Sequence, residues 1–177
     1  MGQILEKKTL LKSGRLEVIS AKAKLDNDNL VNFTYTKFPM TVSIVPVDEN
    51  NNVYLCKEWR VAWNRHIIQL PAGVCENKKE EIDPSTRAHK ELVEEVGLKA
   101  KKLEKLATSG ISANSNGIHH IFLATKLIKT ERHLDENEII EVIEMPVNEA
   151  YEMFLMGELT TGYTILGLSL AKEKLKI

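Results

Sequence analysis

The stretch KELVEEVGL, Lys90–Leu98, crowds the carboxylates of Glu91, Glu94 and Glu95 into little more than one turn of a predicted helix. Like charges four residues apart destabilise a helix by about 0.2–0.5 kcal/mol per pair, and anions near a helix C-terminus are disfavoured by about 0.3–1 kcal/mol. A solvated charged face is the ordinary interpretation. A divalent cation would reverse both penalties, however, and oxygen ligands on one helix face suit Mg²⁺ or Mn²⁺.

The helix that carries these glutamates is predicted to run from Asp83 and Pro84 to Gly97. Asp is a good N-cap, Pro is favoured at the first helical position, and Gly suits the C-cap. One apolar face repeats every four residues, at Ala88, Leu92 and Val96.

Outside this helix the chain consists mainly of strand-like segments separated by turn formers. A hairpin is predicted over Leu16–Phe38, and two further strands with a polar turn in TVSIVPVDENNNVYLCKEWR. The later segments LEKLATSG, IHHIFLATKL and IIEVIEMP are predicted strands, followed by helical sequence from Val147 to Met156 and from Thr164 onward. Strands mixed with two or three helices predict an α/β sandwich with one central helix.

Composition excludes several function classes. The 177 residues suit one domain, or one domain with a short appendage. With 24 basic and 25 acidic residues, the net charge of −1 gives no indication of binding to nucleic acid or an anionic membrane. Cys56 and Cys75 are too few for a disulfide framework and fit no metal-ligand spacing. With no apolar signal core and no run of about 20 apolar residues, a soluble, cytoplasmic protein is expected.

The segment GVCENKKEEIDPSTRAHKELVEEVGL resembles the Nudix box: Gly, five residues, Glu, seven residues, Arg-Glu, an aliphatic, any residue, Glu-Glu, any residue, Gly, an aliphatic. Its second half, Lys90–Leu98, matches closely. The resemblance implies an α/β fold, the Nudix α/β/α sandwich with a mixed β-sheet, over residues 39–177. A small N-terminal antiparallel β-strand region over residues 1–38 would precede it.

The first half of the box departs from the family pattern. The spacing from Gly73 to Lys90 is about three residues longer than usual, and Lys90 replaces the family's Arg. The family's first Glu falls on Ile82, with Glu80 and Glu81 beside it. These departures concern the groups that support the metal ligands more than the ligands themselves.

The preceding segment, KEWRVAWNRHIIQLPAG, resembles the ADP-ribose and nucleoside-diphosphate-sugar pyrophosphatases of this family. The resemblance implies a metal contact by the carbonyl of Ala72 and a phosphate or sugar contact by Arg60. Gln69 stands where Glu is usual. Trp59 and Trp63 are candidates for stacking on the nucleobase across a dimer interface, with a core or interface anchor as the alternative.

Downstream, LDENEIIEVIEMPVNEAYEMFLMGELTTGYTILGLSLA is very like the C-terminal half of the same group. Alone, LDENE is typical of an ordinary polar loop. The resemblance makes Glu136 the general base and Glu138 a further metal ligand, with the base at Glu138 as the alternative. It also implies substrate contacts by Ser109 and Gly110 in the loop TSGISANSNG, Thr108–Gly117, which lacks the proline usual in the group.

The resemblance therefore implies a Mg²⁺-dependent hydrolase, with Mn²⁺ as a substitute, whose metal ligands are Glu91, Glu94 and Glu95, the last also catalytic. The expected substrate is a nucleoside diphosphate sugar, ADP-ribose or an NDP-hexose, split to a nucleoside monophosphate and a sugar phosphate. Two alternatives remain: another Nudix activity (on a dinucleoside polyphosphate, a nucleoside triphosphate or capped RNA) and a catalytically silent nucleotide sensor. A homodimer through the N-terminal strands is expected, with no membrane or nucleic-acid partner.

Overall fold

The computed structural model describes residues 1–76, 82–134, 136 and 138–177. The helices are α1 (Pro84–Glu91), α2 (Val147–Leu155) and α3 (Gly162–Leu175). The strands are β1 (Gln3–Ser13), β2 (Leu16–Lys24), β3 (Leu30–Lys37), β4 (Thr41–Pro46), β5 (Asn52–Arg60), β6 (Arg65–Gln69), β7 (Ala72–Val74), β8 (Leu98–Gly110), β9 (Ile118–Lys129) and β10 (Ile140–Pro146). Within these ranges, every helix is too short or too polar to cross a membrane.

The mixed α/β class is confirmed, and the described chain divides into two compact units. The first contains residues 1–40 and 109–119, and the second contains residues 41–108 and 120–177. Strands β2 and β3 of the first unit form the predicted hairpin, with Glu17 opposite Lys37 and Lys24 opposite Leu30. Strand β1, which the sequence did not predict, pairs with the other edge of β2. Its residues are exposed on both faces, so its sequence lacks the alternation of a half-buried strand.

The segment 109–119 joins the first unit through backbone hydrogen bonds to β3. Thr36 N–H donates to the carbonyl of Asn114 at 2.9 Å, and Asn116 N–H donates to the carbonyl of Thr36 at 3.1 Å. The predicted substrate contacts Ser109 and Gly110 therefore belong to the N-terminal unit.

The second unit contains one sheet in the order β7-β4-β9-β8 and another in the order β10-β5-β6. The predicted strands β4 and β5 and the turn between them are confirmed, but the two strands lie in different sheets. The turn is held by Asp48 Oδ1, which accepts from the N–H of Asn50 at 2.9 Å and of Asn52 at 2.8 Å. Hydrogen bonds from backbone N–H groups to an Asp side chain stabilise a turn of this kind, which is not a two-residue hairpin loop.

The core of the second unit lies between the strands and the helices. Helix α1 packs against β4 and β7, α3 against β4 and α2, and α2 also against β5 and β10. Leu70 N–H donates to Thr164 Oγ1 at 3.0 Å and thereby fixes the turn between β6 and β7 to the start of α3. Cys56 and Cys75 are both buried, and neither forms a disulfide within the described residues. The buried cluster consists of Val45, Val47, Val53, Leu55, Leu70, Ile121, Leu123, Val147, Ala150, Leu159, Leu168 and Ala171.

Candidate active site

The predicted helix over Asp83–Gly97 is confirmed, and its cap follows the sequence signals. Asp83 Oδ2 accepts hydrogen bonds from Thr86 N–H at 3.0 Å and from Ser85 Oγ at 2.6 Å, and Pro84 is the first helical residue. The helix ends at Gly97, whose φ of 75° lies in the left-handed region that favours glycine.

The second half of this helix is a π-helical turn, Leu92–Val96. The N–H of Gly97 is shared between the carbonyls of Leu92 and Val93, as expected for a widened turn. Such turns are rare and often lie at functional sites. Here the turn contains two of the three glutamates of the opening motif.

Glu91 and Glu95 are both buried, with 4% and 6% of their surface exposed. They share the inward side of the helix with Ala88 and Leu92, which are fully buried. The interpretation of this segment as a solvated charged face is therefore wrong for these two residues. Glu94 is different, because it remains partly exposed beside the buried pair.

Glu95 is joined to the segment that precedes the box. Its Oε2 accepts a hydrogen bond from the backbone N–H of Ala72 at 3.0 Å and lies 3.8 Å from Sγ of Cys56, within range of a weak thiol donor. The structure thus brings Ala72 and Glu95 together through the amide of Ala72. The metal contact of the Ala72 carbonyl stays a prediction.

Glu91 lies directly against the backbone of Gly73. A Cβ added at Gly73 would overlap Oε1, Cδ and Cγ of Glu91, so no larger residue fits there without displacing this carboxylate. The same oxygen, Glu91 Oε1, also forms an ion pair with Arg87 Nη2. Glu94 Oε1 lies 3.1 Å from Lys90 Nζ, and Glu94 Oε2 lies 3.6 Å from Arg87 Nη1.

Burial and mutual repulsion raise the pKa values of Glu91 and Glu95. Burial raises the pKa of Glu91 to about 7, with Arg87 opposing the shift and Glu94 and Glu138 adding to it. Burial raises the pKa of Glu95 to about 8, and the charges of Glu91, Glu138 and Glu58 raise it further. Two carboxylates in this environment favour either protons or a cation.

Glu138 of the acidic loop interacts electrostatically with the buried glutamates. Its charge adds to the raised pKa of Glu58, Glu91 and Glu95. Glu136 is exposed in a turn of the same loop. Residues 135 and 137 of the LDENE motif lie outside the described residues. The assignment of the base to Glu136 and of a metal contact to Glu138 stays a prediction.

Glu58, which contacts the predicted residue Arg60, was missed in the sequence. Glu58 Oε2 accepts from Gln69 Nε2 at 3.2 Å and lies 3.2 Å from Arg60 Nη2. Gln69, only 3% exposed, accepts at Oε1 from the hydroxyl of Tyr163 at 2.7 Å. Because residues two apart on a strand share a face, the spacing of Glu58 and Arg60 on β5 was the available signal.

Glu58 interacts electrostatically with the buried pair Glu91 and Glu95 through its effect on Glu95. Burial raises its pKa, Arg60 opposes the shift, and Glu138 adds to it. Glu58 in turn contributes to the raised pKa of Glu95. The predicted substrate contact Arg60 is therefore held by a carboxylate that belongs to the same charged site.

The two tryptophans near Arg60 are not core residues of the described chain. Trp59 is 47% exposed and Trp63 is 51% exposed. The core interpretation is therefore wrong for both residues, whereas stacking on a base and anchoring an interface stay predictions. Ser109 is half-buried and Gly110 is exposed, both at the end of β8.

The protein-family model for the NUDIX domain matches residues 37–162 of this chain. The chain belongs to the Nudix family. This Nudix hydrolase is 32% identical over 183 residues to an ADP-ribose pyrophosphatase of Bacillus subtilis, covering 97% of each chain. It is also 26% identical over 176 residues to a methanol dehydrogenase activator of Bacillus methanolicus, covering 95% of this chain and 94% of that one.

The fold of this Nudix hydrolase is shared with a solved structure. A crystal structure of an ADP compounds hydrolase superposes with a TM-score of 0.84 at 22% sequence identity, over 99% of this chain and 94% of that chain. At this identity the likeness shows the fold, and it agrees with the α/β architecture expected from the Nudix box.

The structure also bears on the departures from the Nudix box. Ile82, at the position of the family's first Glu, donates its N–H to the carbonyl of Cys75 at 2.8 Å and so closes the lengthened loop. Glu80 and Glu81, which precede that position, lie outside the described residues. Lys90, at the position of the family's Arg, is mostly exposed and pairs with Glu94.

The side chains present fit a hard divalent cation. Among the described residues, no three His, Cys, Asp or Glu side chains already stand in the arrangement of a metal site. However, Glu91 Oε1 is buried and forms an ion pair with Arg87. Within the described part of the chain, this oxygen accepts no hydrogen bond of ordinary geometry. Oxygen ligands of this kind, with raised proton affinity, are those that Mg²⁺ or Mn²⁺ prefers.

Proposed function

We propose that this Nudix hydrolase cleaves the diphosphate of a nucleoside diphosphate sugar, ADP-ribose or an NDP-hexose, in a Mg²⁺-dependent reaction. The chain is a Nudix pyrophosphatase that acts on phosphorus-containing anhydrides. The products would be a nucleoside monophosphate and a sugar phosphate. The single observation that carries the proposal is the buried pair Glu91 and Glu95 beside Ala72 and Gly73.

Glu91, Glu94, Glu95 and Glu138 and the carbonyl of Ala72 would hold the metal, with Mn²⁺ as a substitute for Mg²⁺. When bound, the metal would neutralise charge on the phosphoryl oxygens and lower the pKa of a water molecule. The protein's own part is to keep these oxygens in place before the substrate arrives. The hydrogen bond from Ala72 to Glu95 and the close packing of Gly73 on Glu91 support that role.

Glu136 is proposed as the general base. It would accept the proton of the attacking water while the water oxygen bonds to one phosphorus and the bridging P–O bond breaks toward the leaving phosphate. Its exposure supports this assignment, because an exposed carboxylate can receive a proton and return it to solvent. Glu138, which is electrostatically close to the glutamate pair, is the alternative base.

Further polar and aromatic groups are proposed to hold the substrate. Arg60 is the proposed contact to phosphate or sugar, and its ion pair with Glu58 supports a fixed direction for the guanidinium. The exposed faces of Trp59 and Trp63 are proposed to stack on the base. Ser109 and Gly110 are proposed as further substrate contacts.

The test is a panel of ADP-ribose, UDP-glucose, GDP-mannose and ADP-glucose, assayed for phosphate release after a coupled phosphatase, with Mg²⁺ and with a chelator. Dinucleoside polyphosphates, nucleoside triphosphates and capped RNA complete the panel. Release from one of the four sugar nucleotides, only with Mg²⁺, is the expected result. If only compounds of the second set are hydrolysed, the proposed substrate class is wrong and the substrate belongs to that set. Binding of a nucleotide without turnover would identify a sensor.

The N-terminal unit is proposed to mediate a homodimer in the cytoplasm. Strand β1 carries Ile4, Leu5, Leu10 and Leu11, which are each about half exposed. Apolar residues of this kind on an edge strand favour association with another surface. Light scattering on the eluting protein should give twice the chain mass, and Leu10→Glu with Leu11→Glu should give the monomer mass. A wild-type chain that elutes as a monomer would contradict the proposal.

A further inference from the structure

The Nudix box of this chain lacks the family's arginine, yet a different arginine contacts its glutamates. We propose that Arg87 replaces it as the residue that positions the carboxylates of Glu91 and Glu94 for metal binding. The inference rests on the proposed function, because it assumes that these glutamates bind a divalent cation. It assigns to Arg87 a role that its position outside the matching half of the box did not predict.

Arg87 reaches both carboxylates with separate nitrogens. Nη2 pairs with Oε1 of Glu91, one turn further along the helix, and Nη1 lies 3.6 Å from Oε2 of Glu94, about two turns further. Only a planar guanidinium offers two donors in a rigid fork, whereas a lysine ammonium acts as a single point of charge. Arg87 is therefore suited to hold two carboxylates in a fixed relation to each other.

Lys90 makes a weaker connection to the same group. Its Nζ lies 3.1 Å from Oε1 of Glu94, and its side chain is 58% exposed, compared with 20% for Arg87. No ion pair between Lys90 and Glu91 occurs in the described structure. Exposed ion pairs of flexible lysines contribute little, because water screens them and side-chain entropy opposes them. The residue at the family's arginine position is thus a poor substitute for that arginine.

The position of Glu91 shows what Arg87 contributes. The carboxylate lies against the backbone of Gly73 and is also paired, through Oε1, with the guanidinium of Arg87. Nε of Arg87 is buried and has no hydrogen-bond partner among the described residues. The two ion pairs are therefore the contacts that hold this guanidinium in its buried position. Removing the guanidinium would leave the packing against Gly73 without the ion pair that also holds Oε1 of Glu91.

The experiment compares Arg87→Ala, Arg87→Lys and Lys90→Ala with wild type. Mn²⁺ alone is the probe, and the electron paramagnetic resonance signal of free Mn²⁺ measures its binding directly, without substrate. Loss of a group that orients metal ligands typically weakens metal affinity about 10- to 100-fold. We expect a loss of that size for Arg87→Ala, a loss of at least about fivefold for Arg87→Lys, and a smaller loss for Lys90→Ala. Circular dichroism establishes that each variant is folded.

The outcomes separate the inference from the proposed function. If wild type binds Mn²⁺ and both Arg87 variants bind it equally well or more tightly, Arg87 is not the positioning residue and the proposed function stands. The same conclusion follows if Lys90→Ala loses more affinity than Arg87→Ala. If Arg87→Ala does not fold, Arg87→Lys decides, because wild-type affinity in that variant contradicts a need for the fork. If wild type binds no Mn²⁺, the proposed metal site and the inference both fail.

Discussion

The backbone N–H of Ala72 donates a hydrogen bond to Oε2 of Glu95 at 3.0 Å. This bond joins the first residue of β7 to the π-helical turn that ends the box helix. Because Gly73, the next residue, packs against Glu91, the two buried glutamates are both fixed by one short segment of main chain. Changes at these residues should therefore affect the site far more than changes on the rest of the surface.

Glu95→Gln should nearly abolish turnover and leave the fold intact. The amide oxygen of Gln can still accept from Ala72, so the loss would come from the missing charge at the metal site. Removal of an electrostatic contact of this importance typically costs about 10²- to 10³-fold in kcat. The matched control is Glu104→Gln on β8, whose partly exposed carboxylate pairs with Lys102 of the same strand and with Lys174 of α3. Wild-type activity in Glu95→Gln would contradict the assignment of Glu95 as a metal ligand.

Glu136→Gln should lower kcat by about 10²- to 10⁴-fold, the range typical of general base catalysis. Substrate affinity should change little, because the base acts on water. Single-turnover kinetics together with equilibrium binding of the substrate would separate the two quantities. If only Glu138→Gln shows this pattern, Glu138 is the base and the assignment of Glu136 is wrong.

Gly73→Ala should damage both stability and metal binding. The added methyl group would overlap the carboxylate of Glu91, and forced overpacking typically costs about 1–3 kcal/mol. Thermal unfolding and Mn²⁺ binding would measure the two effects. Gly162→Ala is the matched control, because a Cβ there meets no atom within 4 Å. An unchanged melting temperature in Gly73→Ala would show that Glu91 adjusts freely.

Glu58→Gln should raise KM for the substrate and leave kcat almost unchanged. The variant weakens the ion pair that directs Arg60, and partly exposed pairs contribute about 0.2–1 kcal/mol, equivalent to a change of about 1.4- to 5-fold. Lys57→Gln serves as the control, because Lys57 lies on the same strand as Glu58 and forms an ion pair with Glu141 of the neighbouring strand β10. A fall in kcat with KM unchanged would mean that Glu58 acts on the chemical step instead.

The metal-free protein should lose stability as the pH rises from about 5 to about 8. The pKa values of Glu91, about 7, and Glu95, about 8, are raised above the ordinary value of 4.5, so the folded state retains protons that the unfolded state has released. Unfolding is then favoured by increasing pH. Urea denaturation in a chelator at several pH values measures this slope, which Glu91→Gln with Glu95→Gln should flatten. Mg²⁺ should restore stability at pH 8. An equal slope in wild type and the double variant would contradict the expectation.

The sequence by itself determined the box helix and the family. Asp83, Pro84 and Gly97 set the helix ends through local capping and backbone preferences, which require no distant partner. The spacing of Glu91 and Glu95 indicated that they share one face. The hairpin of β2 and β3 was also predictable, because its turn and its strand-forming residues are adjacent in the chain.

Only the tertiary structure decided which polar groups meet. Glu91 is buried because Gly73, far from it in sequence, leaves room for its carboxylate, and Glu58 joins the site because β5 pairs with β6 and brings it to Gln69. Strand β1 was missed because its residues are exposed on both faces. Such contacts depend on sheet pairing and helix packing between distant segments, and no local pattern of charge or hydrophobicity encodes them.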